Sequence, residues 1–143
     1  QFVEKRSIDL SALVAERLDE LDELLALRNI EGVRDLQQSF VIDMNPLLAD
    51  LLVTNLLGNA IKHNINNGFI RVTSHSSTLI FRNTGKRLQG DPQSLFSRFA
   101  KEGVTKDSSG LGLSIVAEIC KVSSLSIDYT CLEDEHCLTL FLQ

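Results

Sequence analysis

The sequence predicts an α/β domain, and three observations carry that expectation. Segments with strand character, at residues 7–10, 38–42, 69–74, 78–82, 126–131 and 137–142, are interleaved with three helical ones. The helical segments repeat their apolar residues at the spacing that gathers them on one face. At 143 residues the chain suits a single domain, long enough to bury a real core.

Each element has its own reason. Residues 1–6 are a polar lead-in, after which 7–10 read as a short strand and Ser11 as the cap of the helix that follows. From 13 to 27, Leu13, Val14, Leu18, Leu21, Leu24 and Leu25 recur at helical spacing with acidic residues and Arg between them. That stretch is too short for several heptads, so it predicts a core-packed helix rather than a coiled coil. Asn45-Pro46 opens the second helix: the Asn side chain accepts from first-turn amides, and Pro at the first helical position has no N–H to leave unpaired. That helix ends near the Asn66-Asn67-Gly68 turn, and a hairpin of 69–74 and 78–82 follows. Residues 84–110 are rich in turn formers and read as mainly irregular; so long a run in a compact domain is usually functional, such as a lid. The third helix is expected over 111–122. The strands 126–131 and 137–142 close the chain around the acidic turn 133–135.

Bulk properties exclude several classes. A formal net charge of −5 argues against a general nucleic-acid or membrane-surface binder. No apolar run reaches membrane-spanning length, and the first residues do not resemble a signal peptide. Cys120, Cys131 and Cys137 are odd in number and lack a CxxC spacing, so they read as reduced, mostly buried thiols rather than a metal site or disulfide framework. The chain begins at Gln1 without an initiator Met, which suggests a piece of something longer.

Four constellations carry chemistry. Asn55, Asn59 and Lys62 fall on one stripe of an otherwise strongly apolar helix, where an amide oxygen suits magnesium and a lysine suits phosphate. The plainer reading is the wet face of an amphipathic helix. Asn83-Thr84-Gly85 puts an acceptor at the mouth of a strand, suited to a purine amino group, or a simple turn residue. Phe96, Phe99 and Lys101 lie in the irregular stretch, as a staple to the core or a lid whose lysine reaches phosphate. Ser109-Gly110-Leu111-Gly112-Leu113 leads into the third helix, where glycines admit an anion close to backbone amides. It is neither a P-loop nor a dinucleotide fingerprint.

Together, in this order, these elements resemble the catalytic ATP-binding domain of sensor histidine kinases, over about residues 7–143. Residues 55–64 are similar to that family's asparagine box, Asn83 to Gly85 to its first glycine box, Phe96 to Lys101 to its phenylalanine box, and Gly110 to Leu113 to its second glycine box. The resemblance implies a two-layer α/β sandwich (the Bergerat fold), with a mixed sheet, three helices on one face and a mobile ATP lid over 100–109. Residues 1–6 would then be the remnant of a linker from a preceding dimerisation and phosphoacceptor domain.

Position by position, the resemblance implies that Asn59 coordinates Mg2+ bridging the ATP phosphates, with Asn55 supporting it and Lys62 reaching phosphate oxygens. His63 takes a place often held by an aromatic near the nucleotide. Lys101 would close over the phosphates, and Ser109, Gly110, Leu111, Gly112 and Leu113 would cradle them. Thr139 would border the adenine pocket. Two departures stand out: Asn83 replaces the usual Asp, and Arg87 replaces the second glycine of its box. A neutral acceptor bonds more weakly than a charged one, so Asn83→Asp is expected to hold or improve ATP affinity.

The related chaperone, topoisomerase and mismatch-repair ATPases usually have Glu at the position of Asn55, and an amide cannot act as a general base. The resemblance therefore implies transfer of the γ-phosphoryl group to a histidine and, later, to an aspartate of a response regulator. The family's acceptor is a His followed by Glu or Asp on a helical hairpin. Here His63, His75 and His136 are followed by Asn64, Ser76 and Cys137, so the acceptor is expected on a separate domain of a homodimeric, membrane-anchored parent, with this part monomeric alone and in the cytoplasm. The alternatives are a degenerate nucleotide-binding regulatory module and a hydrolytic ATPase.

Overall fold

The structure is a computed structural model that describes residues 4–96 and 109–143, with backbone only for 109–111. Its elements are β1 (Arg6–Asp9), α1 (Leu10–Glu20), α2 (Asp22–Leu27), β2 (Glu31–Asp35), β3 (Val41–Met44), α3 (Pro46–Lys62), β4 (Phe69–Ser74), β5 (Thr78–Thr84), α4 (Ser109–Val122), β6 (Leu125–Leu132) and β7 (Glu135–Leu142). A single 3₁₀ turn spans Pro92–Ser94. Five strands form one mixed sheet in the order β2-β4-β5-β7-β6, parallel only between β2 and β4. β1 and β3 form a separate antiparallel pair.

The helices pack on one face of the five-stranded sheet, as a two-layer sandwich requires. Alternation along the strands sets that face: Ile70, Val72, Leu79, Phe81, Leu138 and Leu140 are buried, while Arg71, Thr73, Arg82 and Thr139 point the other way. Against them α3 presents Leu52, Leu56, Leu57 and Ala60, all buried, and α4 presents Leu113, Val116 and Ile119. Each fully buried Leu or Val contributes roughly 1.5–3 kcal/mol over an exposed one.

Three observations change the expected elements. The helix expected over 13–27 breaks at Leu21, whose N–H still bonds the Arg17 and Leu18 carbonyls before α2 begins. Its cap is Asp9 rather than Ser11: the Asp9 carboxylate accepts from the Ser11 N–H at 3.0 Å and from the Phe40 N–H at 3.2 Å. β2 is an additional strand, and the one expected over 38–42 shifts to β3.

The C-terminal end of α3 is held firmly, and that end positions the site. The Asn45 side chain caps its start, accepting from the Leu47 N–H at 2.8 Å. At its finish, Arg28 donates to the carbonyls of Ile61 and of Asn64, the latter at 2.7 Å. A cation there also complements the negative end of the helix dipole. Arg17 clasps Asp50 and so ties α1 to α3.

Candidate functional site

Where the end of α3 meets β5, β7 and the start of α4, a cavity of about 490 Å³ opens. Leu56 and Ala60 of α3, Phe81 of β5, Leu113 of α4 and Leu138 of β7 make an apolar slot. Asn59, Lys62, His63, Asn64, Asn83, Lys86, Tyr129 and His136 supply its polar groups. No Asp or Glu stands among these lining residues, although the whole chain is acidic.

At one end, α3 and α4 touch through a glycine. A Cβ on Gly112 would lie 3.2 Å from Asn59 Nδ2 and 3.4 Å from the side-chain oxygens of both Asn55 and Asn59. A glycine lets α4 begin this close to the two amides without displacing either of them. Asn55 turns its N–H groups back onto its own helix, donating to the Leu51 carbonyl at 2.8 Å. Asn59 Nδ2 is buried and has no hydrogen-bond partner among the described residues. Such a group costs about 1–3 kcal/mol if left so, which marks the place as made for a polar ligand. The leading N–H groups of α4, in the turn that starts at Ser109, have no carbonyl partner within the helix and favour an anion.

The floor is a polar network with little left to give. Asn64, 7% exposed, donates to the carbonyls of Ala60 at 3.1 Å and Phe69 at 3.0 Å. It accepts from the Ile65 N–H at 2.9 Å and from the Thr84 hydroxyl. His136 lies opposite Asn83 across β5 and β7. Its Nε2 is 2.7 Å from the Lys86 carbonyl and its Nδ1 2.7 Å from the Tyr129 hydroxyl. A carbonyl only accepts, so Nε2 carries the proton and Nδ1 accepts from the tyrosine. Burial, and the neighbouring Cys131, push the Tyr129 hydroxyl up to about 12, so it stays a donor. Gly85 is wedged here: a Cβ would sit 2.9 Å from the His63 carbonyl and 3.0 Å from the His136 ring.

Residues 44–141 match the family described as histidine kinase-, DNA gyrase B-, and HSP90-like ATPase. The chain belongs to this ATPase family. It is similar to the sensor protein QseC of Escherichia coli, with 32% identity over 145 residues that cover 82% of this chain and 32% of that protein. The chain thus spans about a third of the length of the curated relatives it matches. Its fold matches the catalytic domain of histidine kinase ThkA at a TM-score of 0.78 and 21% identity, covering 98% of this chain and 97% of that one. It also matches the cytoplasmic segment of histidine kinase QseC at 0.75 and 21% identity, over 99% of this chain and 79% of that one. The two-layer α/β sandwich expected from the sequence is the observed fold of this ATPase domain.

The structure gathers Asn59, Lys62, His63, Asn83 and Leu113 around the cavity. It brings Asn55 and Gly112 against Asn59 at its edge and Gly85 against its floor. Ser109, Gly110 and Leu111 form the first turn of α4, which begins two residues before the expected start. Phe96 lies beside the slot, its ring 6.1 Å from that of Tyr129, while its neighbour Leu95 lines it. Thr139 is on the opposite face of β7 and does not border the cavity; the pleat gives that place to His136 and Leu138. Lys101, Phe99 and almost all of the expected lid over 100–109 fall outside the described residues. Asn64, Tyr129 and His136 were not singled out from the sequence, although a buried-side place for His136 follows from its alternation with Leu138 and Leu140.

Among the described residues no helix is long and apolar enough to cross a membrane, and no cluster of His, Cys, Asp and Glu can hold a metal. Cys120 is buried, which pushes its thiol up to about 12 and keeps it unreactive; Cys131 and Cys137 are free and half-buried.

Proposed function

We propose that this domain binds ATP with Mg2+ and passes the γ-phosphoryl group to a histidine on a separate helical-hairpin domain of a sensor kinase. The phosphoryl group would then move to an aspartate of a response regulator. The observation that carries the reading is the cavity's charge: in a chain of net −5 its lining among the described residues holds Lys62 and Lys86 and no carboxylate. A polyphosphate is the anion such a cleft suits, and the apolar slot beside it suits a flat heterocycle.

Asn59 fits a magnesium ion in a specific way. Its amide nitrogen is buried beside Gly112 with no partner among the described residues, and turning that amide offers a hard oxygen instead. With Asn59 as one neutral ligand from the chain, the ion would depend mainly on the bound nucleotide to hold it. When bound it neutralises phosphate charge. The chain's own part is to place Lys62 on the phosphates, to donate from the first turn of α4, and to hold the base in the slot. The lid expected over 100–109, with Lys101, would complete the enclosure.

The choice of transfer over hydrolysis rests on the amide at Asn55 and on the lack of a carboxylate among the described lining residues. Water attack calls for a general base. Asn55 is an amide bonded to its own helix, and His136 is committed at both nitrogens. Phosphoryl transfer to a nucleophilic imidazole needs chiefly positioning and charge neutralisation. The parent would be a homodimer anchored in the membrane, with this domain on the cytoplasmic side.

The test uses radiolabelled ATP. The chain alone should bind nucleotide in a Mg2+-dependent manner without labelling itself, and should label an added helical hairpin bearing the acceptor histidine with acid-labile phosphate. Self-labelling, or steady phosphate release with no acceptor present, overturns the transfer reading. Binding indifferent to Mg2+ with no transfer favours a regulatory module.

A further inference from the structure

We propose that Asn83 makes the cavity permissive at position 6 of a purine, so that this domain takes 6-oxo purine triphosphates alongside ATP. The inference deepens the nucleotide-binding reading and rests on it.

It comes from counting the polar atoms on the floor of the cavity, apart from Asn59, Lys62, His63 and Lys86, that remain able to read a base. Asn64 uses its amide nitrogen on two carbonyls and its oxygen on the Ile65 N–H and the Thr84 hydroxyl. Thr84 is spent in turn, since its hydroxyl also accepts from the Phe69 N–H at 2.9 Å. His136 and Tyr129 are locked to each other, with the far nitrogen of the imidazole on the Lys86 carbonyl. Asn83 remains. Its Nδ2 donates to the Thr84 carbonyl at 2.8 Å, and its Oδ1 accepts from none of the described residues. In this orientation the side chain offers the cavity an acceptor, which suits a 6-amino group.

A carboxylate at this position would present only acceptors and a negative charge, and would repel a 6-oxo group. A carboxamide is different. Half a turn about its last torsion exchanges the two ends and offers N–H to a purine carbonyl. The exchange forfeits the hydrogen bond to the Thr84 carbonyl and turns the amide oxygen toward that carbonyl, so the side chain must also swing clear of it. Selection between 6-amino and 6-oxo purines is therefore worth about tenfold or less, the range of one such bond.

Inosine triphosphate is the cleanest probe, because it replaces the 6-amino group of ATP by oxygen. Calorimetric titration of the 143-residue chain in Mg2+ should give dissociation constants for ATP and ITP within about tenfold of each other. Asn83→Asp should widen that ratio to about 100-fold or more, chiefly by losing ITP. Asn83→Ala, which removes both ends of the amide, should narrow it toward one. ATP binding with ITP rejected about 100-fold by the unaltered chain overturns the proposal, as does a ratio that neither variant moves. If neither nucleotide binds, the nucleotide reading itself falls and takes this inference with it.

Discussion

The contact between Gly112 and the two asparagines of α3 separates stability from function, and Gly112→Ala tests it. In a helix, Ala is favoured over Gly by up to about 1 kcal/mol, so the substitution gains locally. Against that gain, the new Cβ would lie 3.2 Å from Asn59 Nδ2 and 3.4 Å from the side-chain oxygens of Asn55 and Asn59. An ordinary contact needs a few tenths of an ångström more, which Asn59 can yield by tilting its amide into the cavity. The two effects nearly cancel, so the melting temperature should stay within about 3 °C of the parent chain. The displaced amide cannot hold an ion where the phosphates present it, and misplacement on that scale costs about tenfold. Titration of ATP in Mg2+ and in a chelator should therefore show the Mg2+-dependent part of the affinity falling by tenfold or more, or about 1.4 kcal/mol. Unchanged Mg2+-dependent affinity refutes the reasoning. So does a fall in melting temperature beyond about 10 °C, because it would mean the contact cannot relax.

Three further outcomes follow from the same geometry. Gly68→Ala would place a Cβ 2.0 Å from the Thr84 hydroxyl and 2.3 Å from Asn64 Oδ1, two atoms bonded to each other; chemical denaturation should give a loss of about 2–3 kcal/mol, and a neutral result would contradict that packing. Asn64→Leu strands the Ile65 N–H, the Thr84 hydroxyl and two carbonyls, so the melting temperature should fall by about 6–12 °C, for roughly 2–4 kcal/mol. For Asp9, burial alone would raise the carboxyl, but bonds from the Ser11 hydroxyl and the Phe40, Ala12 and Ser11 amides hold it below its ordinary 3.8. A lowered value in the folded state contributes stability that is fully present above 3.8 and is lost as pH falls through that lower value. The stability gap between the parent chain and Asp9→Asn should therefore shrink in acid, and a gap constant down to pH 2 would refute the assignment.

What was legible in the sequence depended on how local the cause was. Asn45-Pro46 announces α3 because cap and first-turn chemistry lie within three residues, and the structure repeats it bond for bond. β4, β5, β6 and β7 were legible through alternation. β2 was not: its residues, Glu31, Gly32, Val33, Arg34 and Asp35, have poor strand character. It exists because β4 offers a parallel edge, and because Gly32 lets Leu25 of α2 approach to 3.2 Å of where a Cβ would be. Asp9 displaced Ser11 as the cap for a similar reason, since its carboxylate is also claimed by the distant Phe40 amide.

The same division runs through the site. Asn55, Asn59 and Lys62 could be read together because helical spacing alone aligns them. Gly85 enters the sequence reading through the resemblance to a glycine box, yet its role is space: the His63 carbonyl and the His136 ring leave no room for a side chain. That crowding, like the Tyr129–His136 pair, exists only once the strand register sets Asn83 opposite His136. No local pattern encodes it.

The distribution of charge around the cavity gives the arrangement its logic. Acidic residues outnumber basic ones in the chain, yet the described residues lining the cavity are neutral or basic. A carboxylate beside Asn59 would bind a cation without nucleotide and would repel the phosphates once they arrived. A neutral amide would hold such an ion weakly alone, so under the proposed function ion and polyphosphate would enter together. The same neutrality means that Asn55 itself cannot serve as a base for water. A site built from carboxamides, lysines and helix amides would bind a triphosphate while doing little to break it, which is what the proposed role of phosphoryl donor to a separate acceptor needs.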